Sequence, residues 1–179
     1  MLCFRVVGTL LPGLAVSAIA CGESVAPEPE YDFGRVTARF GSATLWESSY
    51  FPDSVVAAYD PGTGHLQIQG QQVRAAGQWP TLQVLVGRQA QVGGFALTAS
   101  TALQANYAAW FPWTGGSDMF FLSEGIGSDS VWLEEFDPDV RVIQGRFHFR
   151  AREANGSAAV DVEGRFRGHV SVLPPLQPY

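Results

Sequence analysis

The sequence predicts an all-β domain of antiparallel strands, built as a two-sheet β-sandwich with a β-barrel as the alternative. Two observations carry that expectation. Short stretches rich in Val, Thr, Phe, Leu and Ile recur along the chain, separated by Gly, Pro and Asp clusters at spacings typical of antiparallel sheets. The last two stretches flank Asn155-Gly156, a pair that tolerates the positive φ angles of a tight hairpin turn.

Taken in order, strands are expected near Val36 to Phe40, Val55 to Tyr59, His65 to Gly70, Leu82 to Val86, Phe95 to Thr98, Met119 to Leu122, Val131 to Phe136, Val142 to Arg152 and Ala158 to Val170. Asp60-Pro61-Gly62-Thr63-Gly64 should turn the chain between Tyr59 and His65. Asp137-Pro138-Asp139 should set the last three strands into a meander. Ala99 to Trp110 is ambiguous: its alanines, with Leu103, Tyr107 and Trp110 at helical spacing, permit a short helix.

A two-residue loop at Asn155-Gly156 fixes a C-terminal β-hairpin in which paired residue numbers sum to 311. Arg150 then faces Asp161, His148 faces Glu163 and Phe149 faces Val162. Phe147 lies across from Gly164 and Phe166 across from Gly145, so each ring can cover a bare glycine. One face is apolar and the other charged. A slip of one residue would move the phenylalanines to the charged face, so the register is strongly specified.

Ahead of the β-domain, Arg5 is the only charge in residues 1–20, and the run from Val6 to Ala20 is uncharged and mostly apolar. That is the pattern of an export signal, and the run is shorter than the ~20 residues a membrane-spanning helix needs. Ala18-Ile19-Ala20-Cys21 fits small-residue signal cleavage between Ala20 and Cys21, and it also resembles the lipobox of bacterial lipoproteins, with Ala18 where Leu is usual. Cys3 leaves with the signal, so Cys21 remains as a lone thiol at the new N-terminus, where lipid attachment would account for it. Gly22 stands where an inner-membrane retention Asp commonly sits, which favours the outer membrane. A secreted or periplasmic protein is the alternative. Residues 21–34, with Val25-Ala26-Pro27-Glu28-Pro29-Glu30, suit an extended tether. Residues 35–172 then form a single β-domain, and residues 173–179 a C-terminal tail.

Composition excludes several functions. All 11 basic residues are Arg, against 17 carboxylates, for a formal charge of −6. That balance repels nucleic acid. The absence of Lys removes Schiff-base and P-loop chemistry, and no cysteine lies inside the β-domain to act as a nucleophile. The G-x-S-x-G elbow is missing. His65, His148 and His169 share no metal-binding spacing, and His148 reads as a solvated partner of Glu163. Glu134-Glu135 could suggest a glycosidase pair, but adjacent strand residues point to opposite faces. The acidic run Glu134 to Asp139 lacks the ligand pattern of a calcium loop and reads as a solvated turn. No cofactor and no metal are expected.

Trp110-Phe111-Pro112-Trp113-Thr114-Gly115-Gly116 is the strongest binding candidate. Trp110, Phe111 and Trp113 could form a platform for a sugar ring or a protein partner; the alternative is a loop whose rings close the core. Gly77-Gln78-Trp79 matches the G-x-W of lipocalins, although that motif belongs near a domain's start. The expected function is therefore a noncatalytic binding or structural surface module. An apolar-ligand carrier with a lipocalin-like barrel is the rival, and an enzyme is the third reading.

Phe136-Asp137, then Val142-Ile143-Gln144-Gly145-Arg146-Phe147-His148-Phe149, and then Gly164-Arg165-Phe166 resemble the ending of a group of small bacterial envelope lipoproteins of uncharacterised activity. Gly64-His65-Leu66-Gln67-Ile68-Gln69-Gly70 resembles an earlier strand of the same group. The resemblance spans most of residues 35–170. It implies an envelope lipoprotein with a β-rich domain, anchored to the membrane through its N-terminal lipid.

Overall fold

The longest of the described strands, β10 (Val142–Glu153) and β11 (Ala159–Val172), organise the strands around them. The computed structural model describes residues 33–43, 45–48, 55–73, 79–102, 104–112 and 120–174. All of these lie in one compact unit, Tyr31–Tyr179. Residues 1–32, which include Ala20 and Cys21, lie outside the described set, as does Trp113.

The architecture is all-β. The described strands are β1 (Arg35–Phe40), β2 (Trp46–Glu47), β3 (Val55–Asp60), β4 (His65–Gln71), β5 (Thr81–Val86), β6 (Gly93–Ala96), β7 (Tyr107–Phe111), β8 (Phe121–Ser123), β9 (Ser130–Asp137), β10 and β11, joined in one sheet. The hairpin register is the expected one, from Arg152↔Ala159 through Phe147↔Gly164 to Gly145↔Phe166. The Phe147 and Phe166 rings stack with centroids 6.4 Å apart. A Cβ on Gly164 would stand 2.3 Å from the Phe147 ring, and one on Gly145 2.6 Å from the Phe166 ring. Each phenyl therefore occupies the space that a side chain opposite would need.

The turn itself differs from expectation. Neither Asn155 nor Gly156 has a positive φ, and Glu153 N–H donates to the Ala158 carbonyl at 2.9 Å, so residues 154–157 form a four-residue loop. A four-residue loop keeps the same pairing sum as a two-residue one. The register thus survives without the mirror-image turn.

The hairpin has two outer edges. Along β10 lie first β9 and then β8, which pairs at Ala151–Glu153. Along β11 lie β1, paired at Val162–Arg167, and β3, paired at His169–Val172. From β3 the pairing runs through β4, β5, β7 and β8 back to β10. A hydrogen-bonded path leaving one edge of the hairpin therefore returns to the other. Among the described pairings all are antiparallel except β3–β11, which is parallel and departs from the purely antiparallel expectation.

The stretch expected as a possible helix is strand in its second half. β7 pairs with β5 on one side and β8 on the other, and that pairing overrides the helical spacing of Tyr107 and Trp110. Leu103 lies outside the described residues. β2 was too short to show in the sequence pattern.

The interior is one cluster drawn from every long strand, including Val36, Leu66, Ile68, Leu82, Val84, Leu133, Ile143, Phe149 and Phe166. Burying each such side chain contributes about 1.5–3 kcal/mol. The two expected Asp turns form as read. The Asp60 carboxylate accepts from Gly62 N–H (2.8 Å) and the Thr63 hydroxyl (2.7 Å), and Asp137 accepts from the N–H groups of Asp139 (2.9 Å) and Val140 (3.1 Å).

Candidate functional site on the outer face of the hairpin

Side chains pointing away from the core on β9 and β10 form the candidate site. Val131 and Leu133 are buried, so Trp132 between them must point outward. Two positions further on the alternation breaks: the β9–β10 register shifts at Gln144/Gly145, and Phe136 turns inward against Tyr59. This β-bulge leaves Glu134 and Glu135 both exposed, which corrects the expectation that they face opposite ways.

Trp132 is 47% exposed. In register it sits between Gly94 on β6 and Arg146 on β10. Its ring leans over Gly94, where an added Cβ would approach within 2.5 Å of two ring carbons. The Arg146 guanidinium lies 5.9 Å from the ring centroid, a cation–π distance. The bulged Glu134 then ties the neighbours together, 3.6 Å from Arg146 Nε and accepting from Gln144 Nε2 at 3.3 Å. The result is an exposed indole bordered by a cation, a carboxylate and an amide.

Further across the same face, Arg146 pairs in register with Arg165, Arg165 with Thr37, and Arg167 with both Gln144 and Arg35. Arg35 bonds Glu47 at 3.2 Å. The Arg167 guanidinium lies 5.8 Å from the Phe33 ring, and its Nε is buried without a hydrogen-bond partner.

The Trp110 platform is not assembled as expected. Trp110 turns inward and packs on Phe40 (centroids 4.4 Å apart) and Trp46 (5.3 Å), at the margin of the core. Phe111 stacks on Phe120 at 5.9 Å, away from Trp110, as alternation along a strand requires. Trp113, with Gly77 and Gln78 of the lipocalin-like triplet, lies outside the described residues. Trp132 falls within the strand expected from Val131 to Phe136, and strand propensity alone does not mark it as a site. The usable signal was a Trp flanked by Val131 and Leu133, hence on the solvent face.

The remaining candidates are scattered. His65 opens β4 opposite Asp60; His148 Nδ1 lies 3.4 Å from the Ser128 carbonyl, and His169 Nδ1 lies 3.1 Å from that of Arg141. Glu163 is the register partner of His148, while Arg150 and Asp161 form the expected ion pair at 3.2 Å. Among the described residues no group of His, Cys, Asp and Glu has metal-binding geometry. Beside β8 and β10 an open groove of about 480 Å³ is lined by Leu122, Ile126, Glu124 and Arg152, and Glu124 pairs with both Arg150 and Arg152. Buried Asp129 props the adjoining loop, accepting from Gly125 N–H and Arg150 N–H, each at 2.9 Å.

Comparison with family models, curated proteins and solved structures gave no match. Among the described residues no helix is long and apolar enough to cross a membrane.

Proposed function

We propose that this chain is a noncatalytic binding module, lipid-anchored to the bacterial cell envelope through Cys21, with the outer face of β9 and β10 as its contact surface for a carbohydrate. The observation that carries the reading is Trp132, half exposed on a sheet face and seated on Gly94 beside Arg146, Glu134 and Gln144. A large aromatic left in water forgoes roughly 1.5–3 kcal/mol of burial, which a stacked ligand would recover. The polar rim supplies donors and acceptors that suit ring hydroxyls. The export pattern of residues 1–20 and the lone Cys21 support anchoring, and Gly22 supports the outer membrane.

Mobility in native gels containing soluble polysaccharides tests the contact surface. Retardation should be seen with the chain and lost with Trp132→Ala, while Phe111→Ala, on a different ring pair, should retain it. Equal retardation of the chain and Trp132→Ala would defeat the reading.

A further inference from the structure

We infer that one end of the domain, the corner carrying Phe33, Val140 and Leu173, rests on the surface of a zwitterionic phospholipid bilayer. The inference rests on the lipid-anchoring part of the reading above and adds to it the face that the domain turns to the membrane.

The three side chains gather where β10 begins and β11 ends. Val140, in the turn ahead of β10, is 64% exposed, more than any other large apolar side chain among the described residues, and Phe33 and Leu173 are exposed with it. Phe33 meets His169 edge-on with ring centroids 4.8 Å apart, and the Arg141 carbonyl lies 3.1 Å from His169 Nδ1 and accepts from Val170 N–H at 3.0 Å. Leu173 N–H donates to the Tyr59 carbonyl at 2.8 Å. The corner is therefore fixed by the sheet, and apolar groups held in water there gain by leaving it.

Chain connectivity names the occupant. Residues 22–32 separate Cys21 from Phe33, so the segment that leaves the lipid enters the domain at this corner, after a span of at most about 40 Å. The hairpin loop at residues 154–157 lies at the other end of β10, roughly 40 Å away. A tether that short keeps the corner at high effective concentration beside the bilayer, so a patch too small to hold a free protein suffices here. Charge at the rim selects the lipid. Arg141 is exposed beside exposed Asp137 and Asp139, and groups of opposite sign complement headgroups that carry both phosphate and amine, whereas the two carboxylates oppose a strongly anionic surface. Trp132, level with Arg146 and so four residues up β10 from Val142, stays about 14 Å clear along the strand and open to its ligand.

The test is quenching by brominated phosphatidylcholine of a tryptophan placed at each end, with the chain purified from bacterial membranes and reconstituted in vesicles through its own lipid. A chain recovered without lipid is coupled through Cys21 to a maleimide phospholipid, so that attachment in the cell is judged separately, by fatty-acid labelling. After subtraction of the parent's emission, the emission added by Val140→Trp should fall about twofold or more in brominated vesicles, and that added by Asn155→Trp should not change. Phe33→Asp with Leu173→Asp should restore the Val140→Trp emission. If that pair fails to fold, Leu173→Asp should restore part of it on its own. Quenching at both ends alike, at Asn155→Trp alone, or at neither would overturn the inference and, with the chain still attached, leave the anchor standing. Quenching only with phosphatidylglycerol present would overturn the choice of lipid. A blue-shifted Val140→Trp that bromine does not quench would overturn the bilayer in favour of a second copy of the chain.

Discussion

At the scale of single residues, space and hydrogen bonding decide the outcomes. Gly164 has the Phe147 ring on one side, and a Cβ there would also fall 2.2 Å from the Thr37 carbonyl oxygen. The carbonyl belongs to a paired strand and cannot withdraw, so Gly164→Ala should destabilise the domain by about 1–3 kcal/mol. A fall in Tm of several degrees checks this. Asp60 gives a pH prediction. The Thr63 hydroxyl, and then the Gly62 N–H, hold its carboxyl below the usual carboxylate range. A lowered folded pKa means the contribution is present above the unfolded value and is lost as pH falls through the folded one. Asp60→Asn should therefore flatten the acid limb of a stability-versus-pH curve recorded by urea denaturation. An unchanged acid limb would show that the turn does not need the charge.

At the scale of elements, the terminal hairpin was legible and its neighbours only partly so. Its register followed from two phenylalanines, two glycines and an alternation that a slip would invert. The loop type was not legible, because two-residue and four-residue loops centred on Asn155-Gly156 give identical pairing. The bulge in β9 did leave a trace: Val131 and Leu133 lie inside on odd numbers and Phe136 inside on an even one, which a regular strand cannot do. Trp132 and Glu134 share the outer face by ordinary alternation, and the bulge at Glu134 adds Glu135 to it. β7 was hidden because its alanines and aromatics fit two periods, and only pairing with β5 and β8 chose between them. The loop leading into β9 depends on Asp129. Asp129→Ala would strand the Gly125 and Arg150 N–H groups and should cost about 1–3 kcal/mol for each that water does not reach. Faster hydrogen exchange at those two amides is the observable.

At the scale of the whole molecule, the one parallel pairing among the described strands matters most. The strands nearest in sequence pair as hairpins, but β3 meets β11 across more than a hundred residues, and no local pattern announces that contact. The all-β class was therefore readable, whereas the path by which pairing returns to the hairpin was not. The same limit applied to the site. Arg146 and Arg165 face each other by the same pairing sum that placed Arg150 opposite Asp161, but Arg35 joins them only through β1–β11. The anchoring proposal also belongs to this scale. Labelling with a radioactive fatty acid should mark the chain in membranes, and Cys21→Ser should lose both the label and the membrane association; retained label would remove Cys21 from the account.

The outer-face binding site is most directly tested by the indole N–H resonances of the five tryptophans during titration with the soluble oligosaccharide that retards the chain in gels, with Trp132 assigned by its loss in Trp132→Phe. The Trp132 signal should move progressively with ligand while that of buried Trp46 stays in place. Movement confined to other tryptophans, or a Trp132 signal that stays fixed at saturating ligand, would contradict the placement of the site on β9 and β10.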